Sequence, residues 1–137
     1  MALRVRRVGY FYLSVPDRPG EAYKLLALLS DRGINLLAFT AVPTGEARTQ
    51  LSIVPEDPAR LATEALRVGL TVEGPHHALL IQGDDELGAL ADLHRRLYDA
   101  RVNIYAASGV TDGQGHFGYL IYVPPGEFER AAQSLGV

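Results

Sequence analysis

The chain has 137 residues, 47% hydrophobic and 21% charged, with 13 basic against 16 acidic side chains and a net charge of −3. No apolar run approaches the roughly 20 residues a membrane helix needs, the absence of cysteine removes disulfides, thiol catalysis and cysteine-based zinc sites, and the acidic balance argues against a general phosphate-binding surface. Neither a membrane nor a nucleic acid is therefore an expected partner. Arg4, Arg6 and Arg7 are followed by alternating polar and aromatic residues, which is not the pattern of a secretory signal, so the cytoplasm is the expected location.

Residues 8–15 are rich in β-formers and stop at Pro16, and the cluster Asp17-Arg18-Pro19-Gly20 reads as the end of a strand and the start of a helix. From 21 to 32, Ala22, Leu25, Leu26 and Leu29 recur at intervals of three and four, the stripe of an amphipathic helix, and Gly33 supplies its stop. Strands are expected at 34–42 and 48–54 around the Pro43-Thr44-Gly45 turn. Asp57 reads as an N-cap with Pro58 in the first helical position, and Leu61, Ala62, Ala65 and Leu66 form a second stripe ending near Gly69. Residues 70–72 complete the half as a short strand.

The second half repeats the order: strand 78–82, helix 86–100, strand 102–110, turn 111–115, strand 117–123 and helix 127–135. Leu25, Leu29, Asp31 and Asn35 recur as Leu93, Leu97, Asp99 and Asn103, each 68 positions on, and Pro55, Ala62 and Leu66 fall on Pro124, Ala131 and Leu135 after one extra residue. One supersecondary unit is used twice. The expected fold is α+β: two ferredoxin-like βαββαβ units, 1–73 and 74–137, each an antiparallel sheet with helices on one face, related by a pseudo-two-fold. The second copy lacks a fourth strand of its own, and residues 3–5 are expected to supply it.

The run Val15-Pro16-Asp17-Arg18-Pro19-Gly20, a helix ending in Asp31-Arg32-Gly33, and Ile34-Asn35-Leu36 leading into a strand resemble an ACT domain. The second half resembles a divergent copy, so the likeness covers nearly the whole chain and is closest to stand-alone proteins of two ACT units. It implies a non-catalytic regulator that binds a small effector, most often an amino acid, and acts on an enzyme or another regulator. It implies no cofactor and no metal. Asp17, Arg18, Pro19 and Gly20, with Asn35 and Asn103, are the candidate ligand-binding residues, the first loop facing Asn103 and the second facing Asn35. The physical chemistry agrees, since a helix N-terminus attracts a carboxylate and an Asn side chain both donates and accepts. The second loop, Gly83-Asp84-Asp85-Glu86-Leu87-Gly88, carries three successive acids that repel a carboxylate, so it binds nothing or something cationic, and the first loop with Asn103 is the better site.

Other readings compete. The plain alternative for Asp17, Pro19 and Gly20 is that they are turn and capping residues. A protein–protein assembly module with a vestigial pocket is the alternative function, and exposed sheet edges allow a homodimer. Residues 117–122 resemble the strand signature of RNA-recognition motifs, but the basic start of that signature is missing and strand 78–82 has no base-stacking aromatic, which leaves RNA binding a distant third. His76 and His77 are neighbours expected to point to opposite faces, which argues against a shared metal ion. No phosphate loop, nucleophile elbow or distinct acid pair suggests an enzyme.

Overall fold

In a computed structural model, which describes residues 3–137, the chain is α+β. Its strands are β1 (Leu3–Pro16), β2 (Leu36–Gly45), β3 (Arg48–Pro55), β4 (Glu73–Asp84), β5 (Ala106–Thr111) and β6 (His116–Tyr122). Its helices are α1 (Glu21–Asp31), α2 (Pro58–Val68), α3 (Ala89–Asp99) and α4 (Phe128–Ser134), the last preceded by a 3-10 turn at Pro125–Glu127. The strands are ordered β2-β3-β1-β4-β6-β5 in one sheet. By packing, the chain divides into two compact units, residues 9–76 and residues 77–137 together with residues 3–8.

In residues 9–76, β1 and β2 flank β3, both antiparallel to it, with Phe11 opposite Ile53 and Leu13 opposite Leu51. Because side chains alternate across a strand, these four fall on one face. They pack against Leu25 and Leu29 of α1 and Leu61 of α2, and Leu70 and Val72 lie at the margin of this core. Asp57 caps α2, its carboxylate accepting from the Arg60 N–H at 3.2 Å, with Pro58 in the first turn and Gly69 left-handed at the C-cap. That is the expected start and stop.

In residues 77–137, β4 and β5 flank β6, again antiparallel, with Leu79 opposite Ile121 and Ile81 opposite Tyr119. These residues and Phe117 pack against Leu93 and Leu97 of α3 and Phe128, Ala131 and Ala132 of α4. Leu3 and Val5 are packed against the same core. Arg7 is held in this unit too, its guanidinium 2.6 Å from Glu129 and 5.7 Å from the centre of the Phe128 ring.

Several expected boundaries are corrected. Residues 70–72 are not a strand; the chain runs through them irregularly into β4, a single strand that begins at Glu73 and contains the expected strand 78–82. Helix α3 starts at Ala89 instead of residue 86, because Gly88 stands in the left-handed conformation as its N-cap. β5 starts at Ala106, not at 102, since residues 102–105 follow the α3 C-terminus without strand geometry. Leu66, expected on the buried stripe of α2, is 84% exposed.

Candidate functional site

The loop between β1 and α1 is built by backbone geometry. Asp17 donates its N–H to the Ala47 carbonyl at 2.8 Å, and Gly20 takes up φ 90° as the N-cap of α1. The second loop repeats this 68 residues on: the Asp85 N–H donates to the Gly115 carbonyl at 2.8 Å, and Gly88, at φ 84°, is the N-cap of α3. A side chain at φ near +90° is strained, and a Cβ on either glycine would meet nothing within 4 Å. Glycine is thus required for conformation, not for room. Neither helix has a side-chain cap; the Glu21 and Ala89 N–H groups donate to the Arg18 and Glu86 carbonyls at 3.5 and 3.1 Å, which leaves the N–H groups behind them and the positive dipole ends to solvent or a ligand.

Around the first loop, Asp17, Arg18, Pro19 and Gly20 are all exposed. Glu21 draws Lys24 to 3.1 Å and Arg18 to 3.5 Å. The Lys24 hydrogen bond, helped by the Lys24 and Arg18 charges, holds the Glu21 carboxyl below its ordinary range against an opposing burial effect. Asp17 does not cap α1, one of the roles open to it in the sequence.

Asn35 lies beyond the other end of α1. That helix is 11 residues long, or about 16 Å at 1.5 Å per residue, so the 17–20 loop and Asn35 of the same unit do not close on one small molecule. Asn103 is separated from Asp85–Gly88 by α3 in the same way. The amide of Asn35 is engaged: its Nδ2 donates to Glu56 Oε1 at 2.8 Å, while the Asn35 carbonyl accepts from the Glu56 N–H at 3.0 Å. Asn103 receives its acid on the backbone, its N–H donating to Glu127 Oε1 at 3.0 Å.

Glu127, which also accepts from Arg130 at 3.1 Å, belongs to a latch that the sequence reading missed. Arg60 donates to the Arg32 carbonyl at 2.9 Å, and Arg130 donates to the Ala100 and Arg101 carbonyls at 2.8 and 3.0 Å, in each unit satisfying carbonyls at the C-terminus of the preceding helix. The signal was present in Glu56 with Arg60 and Glu127 with Arg130, an acid just before each second helix and an arginine near its start. One extra residue and the unequal spacing hid it.

A hollow of about 790 Å³ opens beside the second loop, bounded by residues 85–91, 109–111 and 117–119. Leu87 and Leu90 project at its rim, and Phe117 and Tyr119 form its floor. Tyr119 is 2.7 Å from His94 Nε2 through its hydroxyl, and burial raises its pKa. Gly109 lies flat on the Tyr119 ring, where a Cβ would come within 2.7 Å of Cδ1.

The histidines occupy separate surroundings. His76 lies 5.3 and 5.4 Å from the Tyr10 and Tyr12 rings, and His77 stacks on Phe128 at 5.0 Å. His116 reaches Asp112 at 3.2 Å. Among the described residues, no three His, Cys, Asp or Glu side chains gather to hold an ion, and no helix is long and apolar enough to cross a membrane.

Left-handed glycines open α1 and α3 alike on this α+β frame, and known structures share the fold. A Bacteroides thetaiotaomicron protein, BT0572, superposes with a TM-score of 0.80 at 15% identity, over 96% of this chain and 88% of its own. The regulatory subunit of aspartate kinase from Thermus thermophilus, in its ligand-free form, gives 0.66 at 21% identity over 97% and 93%. Its counterpart from Thermus flavus gives 0.60 at 22% over 98% and 93%. No protein-family model matches the sequence, and no curated protein is similar enough in sequence to count as a relative.

Proposed function

We propose that the chain is a non-catalytic regulatory module of two ACT units, 1–73 and 74–137, the second drawing its fourth strand from residues 3–5. It senses a small effector, an amino acid, and passes its state to a protein partner. The observation that carries this reading is the pair of uncapped helix N-termini behind Gly20 and Gly88, each fixed by the same backbone clasp. Such a terminus is a ready site for a carboxylate. The fold shared with regulatory subunits of aspartate kinase supports it, as does the packing of Leu3 and Val5 with residues 77–137.

The first loop is the better carboxylate site, because Arg18 stands where the second loop has Glu86, while Asp17 and Asp85 correspond. The resemblance, not the geometry, pairs this loop with Asn103. Binding signals only if the effector favours one of two conformations of the chain or of its complex.

Thermal unfolding against each of the twenty amino acids tests the reading. One of them should raise the melting temperature, since a ligand held only by the native state at 100 times its Kd adds about 2.7 kcal/mol. Gly20→Glu and Asn103→Ala should fold and lose that response. If no amino acid at millimolar concentration shifts melting, the sensor reading falls. The second reading, an assembly module with a vestigial pocket, is favoured by the Asn35 amide, one of whose two N–H donors is already taken by Glu56.

A further inference from the structure

Strand β5 is an end strand with no protection. Its six residues, Ala-Ala-Ser-Gly-Val-Thr, are all exposed and carry neither charge nor proline. Its register with β6 runs without a shift, and β6 is its only neighbour in the sheet. The opposite end strand, β2, carries Pro43 and is irregular in register between Leu36 and Ala38 and again between Pro43 and Gly45. Proline and bulges are the usual devices that keep a sheet edge from pairing with another chain, and β5 has none.

The backbone of β5 is set up to pair. The Asp112 N–H donates to the His116 carbonyl at 3.0 Å, and in an antiparallel ladder the bonded residues alternate. Val110, Ser108 and Ala106 therefore direct their polar groups to β6, while the N–H and C=O of Ala107, Gly109 and Thr111 point away from the sheet.

Beside this edge lies the 790 Å³ hollow. Gly109 and Tyr119 are opposite each other in the ladder, so the side on which Tyr119 meets the core is the side from which β5 and the hollow are reached. An added strand would send alternate side chains into the hollow, against Leu87, Leu90 and Tyr119. The only charged residues bounding it are Asp85 and Glu86, so a segment carrying a cation is complementary and an acidic one is not.

We propose that β5 and the hollow are a docking edge for an extended segment of a partner protein, added as a seventh strand, with apolar side chains at alternate positions and a lysine or arginine toward Asp85 and Glu86. Backbone pairing supplies the hold, and the hollow and its two acids supply the selection. The site is independent of whether the 17–20 loop binds an effector.

The probe is a labelled nine-residue peptide alternating valine and lysine, titrated against the full chain by fluorescence anisotropy, with hydrogen exchange at single amides as a second measurement. Binding should slow exchange at Ala107, Gly109 and Thr111 while leaving the 17–20 loop unchanged. N-methylation of alternate peptide amides, on the phase that faces β5, should abolish binding, and the same methylation on the other phase should not. Glu86→Lys and Leu87→Lys, both at exposed positions, should each weaken binding at least tenfold, and an alternating valine–glutamate peptide should not bind.

Absence of binding, equal binding by both N-methylated forms, or equal binding by the two variants overturns the proposal. So does a concentration-dependent dimer that protects the same three amides without peptide, which would assign the edge to a second copy of the chain.

Discussion

At the residue scale, the two loops are alike in backbone and unlike in charge. Gly20 and Gly88 share one conformation and one missing side-chain cap, so whatever separates the two sites rests on Arg18 and Lys24, both drawn to Glu21, around one and Asp84 and Glu86 at the other. Asp112 shows how a single carboxylate can shape a turn. Its Oδ1 accepts the N–H of Gln114 at 2.6 Å and of His116 at 3.1 Å. Those backbone bonds, Gln114 first, hold its carboxyl below the ordinary 3.8. A carboxylate depressed in the folded state contributes stability that is complete above its unfolded pKa and is lost as the pH falls through the folded value. Asp112→Asn keeps an acceptor at Oδ1 but has no proton to take up. In urea unfolding, the wild type should exceed the variant at neutral pH, and the gap should close as the pH falls below the ordinary carboxylate range and through the lowered folded value. A gap of constant size across that range would show that the charge is not coupled to folding.

At the scale of elements, the stripes on α1, α2 and α3 were legible because burial follows the helical period, and Leu25, Leu29, Leu61, Leu93 and Leu97 are all in their cores. Leu66 shows where the period alone is too coarse. Ala65 faces inward and is 3% exposed, and the next position turns out to solvent, which a four-residue stripe cannot distinguish. The difference has a measurable size. Leu61→Ala, at a site with no exposure, should cost about 2–5 kcal/mol, whereas Leu66→Ala should fall within about 0.5 kcal/mol of the wild type. Chemical unfolding of the two variants side by side checks this, and equal losses would mean that α2 packs in another rotation. The start of α3 was misread because Asp85 and Glu86 look like first-turn acids, while the left-handed glycine that opens the helix comes after them. The latch was illegible for a different reason. Arg60 and Arg130 bond to carbonyls of a preceding helix, so the acid and arginine at the start of each second helix give no sign of their partners until the two helices meet. For the candidate site, the residue types and the loop were readable in the sequence. The hollow was not, because it is bounded by three segments, 85–91, 109–111 and 117–119, that only the fold brings together.

At the scale of the molecule, residues 3–8 pack with residues 77–137, although 9–76 intervene in the chain. Leu3 and Val5 border the core of that unit, and Arg7 reaches Glu129 and Phe128. A chain beginning at Val8 loses all three. Hydrogen exchange should then show faster opening throughout β4, β6 and α4, with the amides of β2 and β3 least changed. Uniform acceleration along the chain would mean that the two units do not open separately, and no acceleration would mean that the first strand segment is dispensable.

Strand β1 thus has two employers: its early residues serve one unit and its later residues the other, and β4 is divided likewise. On a ribosome, residues 9–76 have all their partners in hand once β4 has begun to emerge. The other unit cannot be finished in order of synthesis, because residues 3–8 are made first and residues 77–137 last. Residues 3–8 must wait in the open through the making of everything between. A cut at the midpoint of the chain would consequently part residues 3–8 from the unit with which they pack.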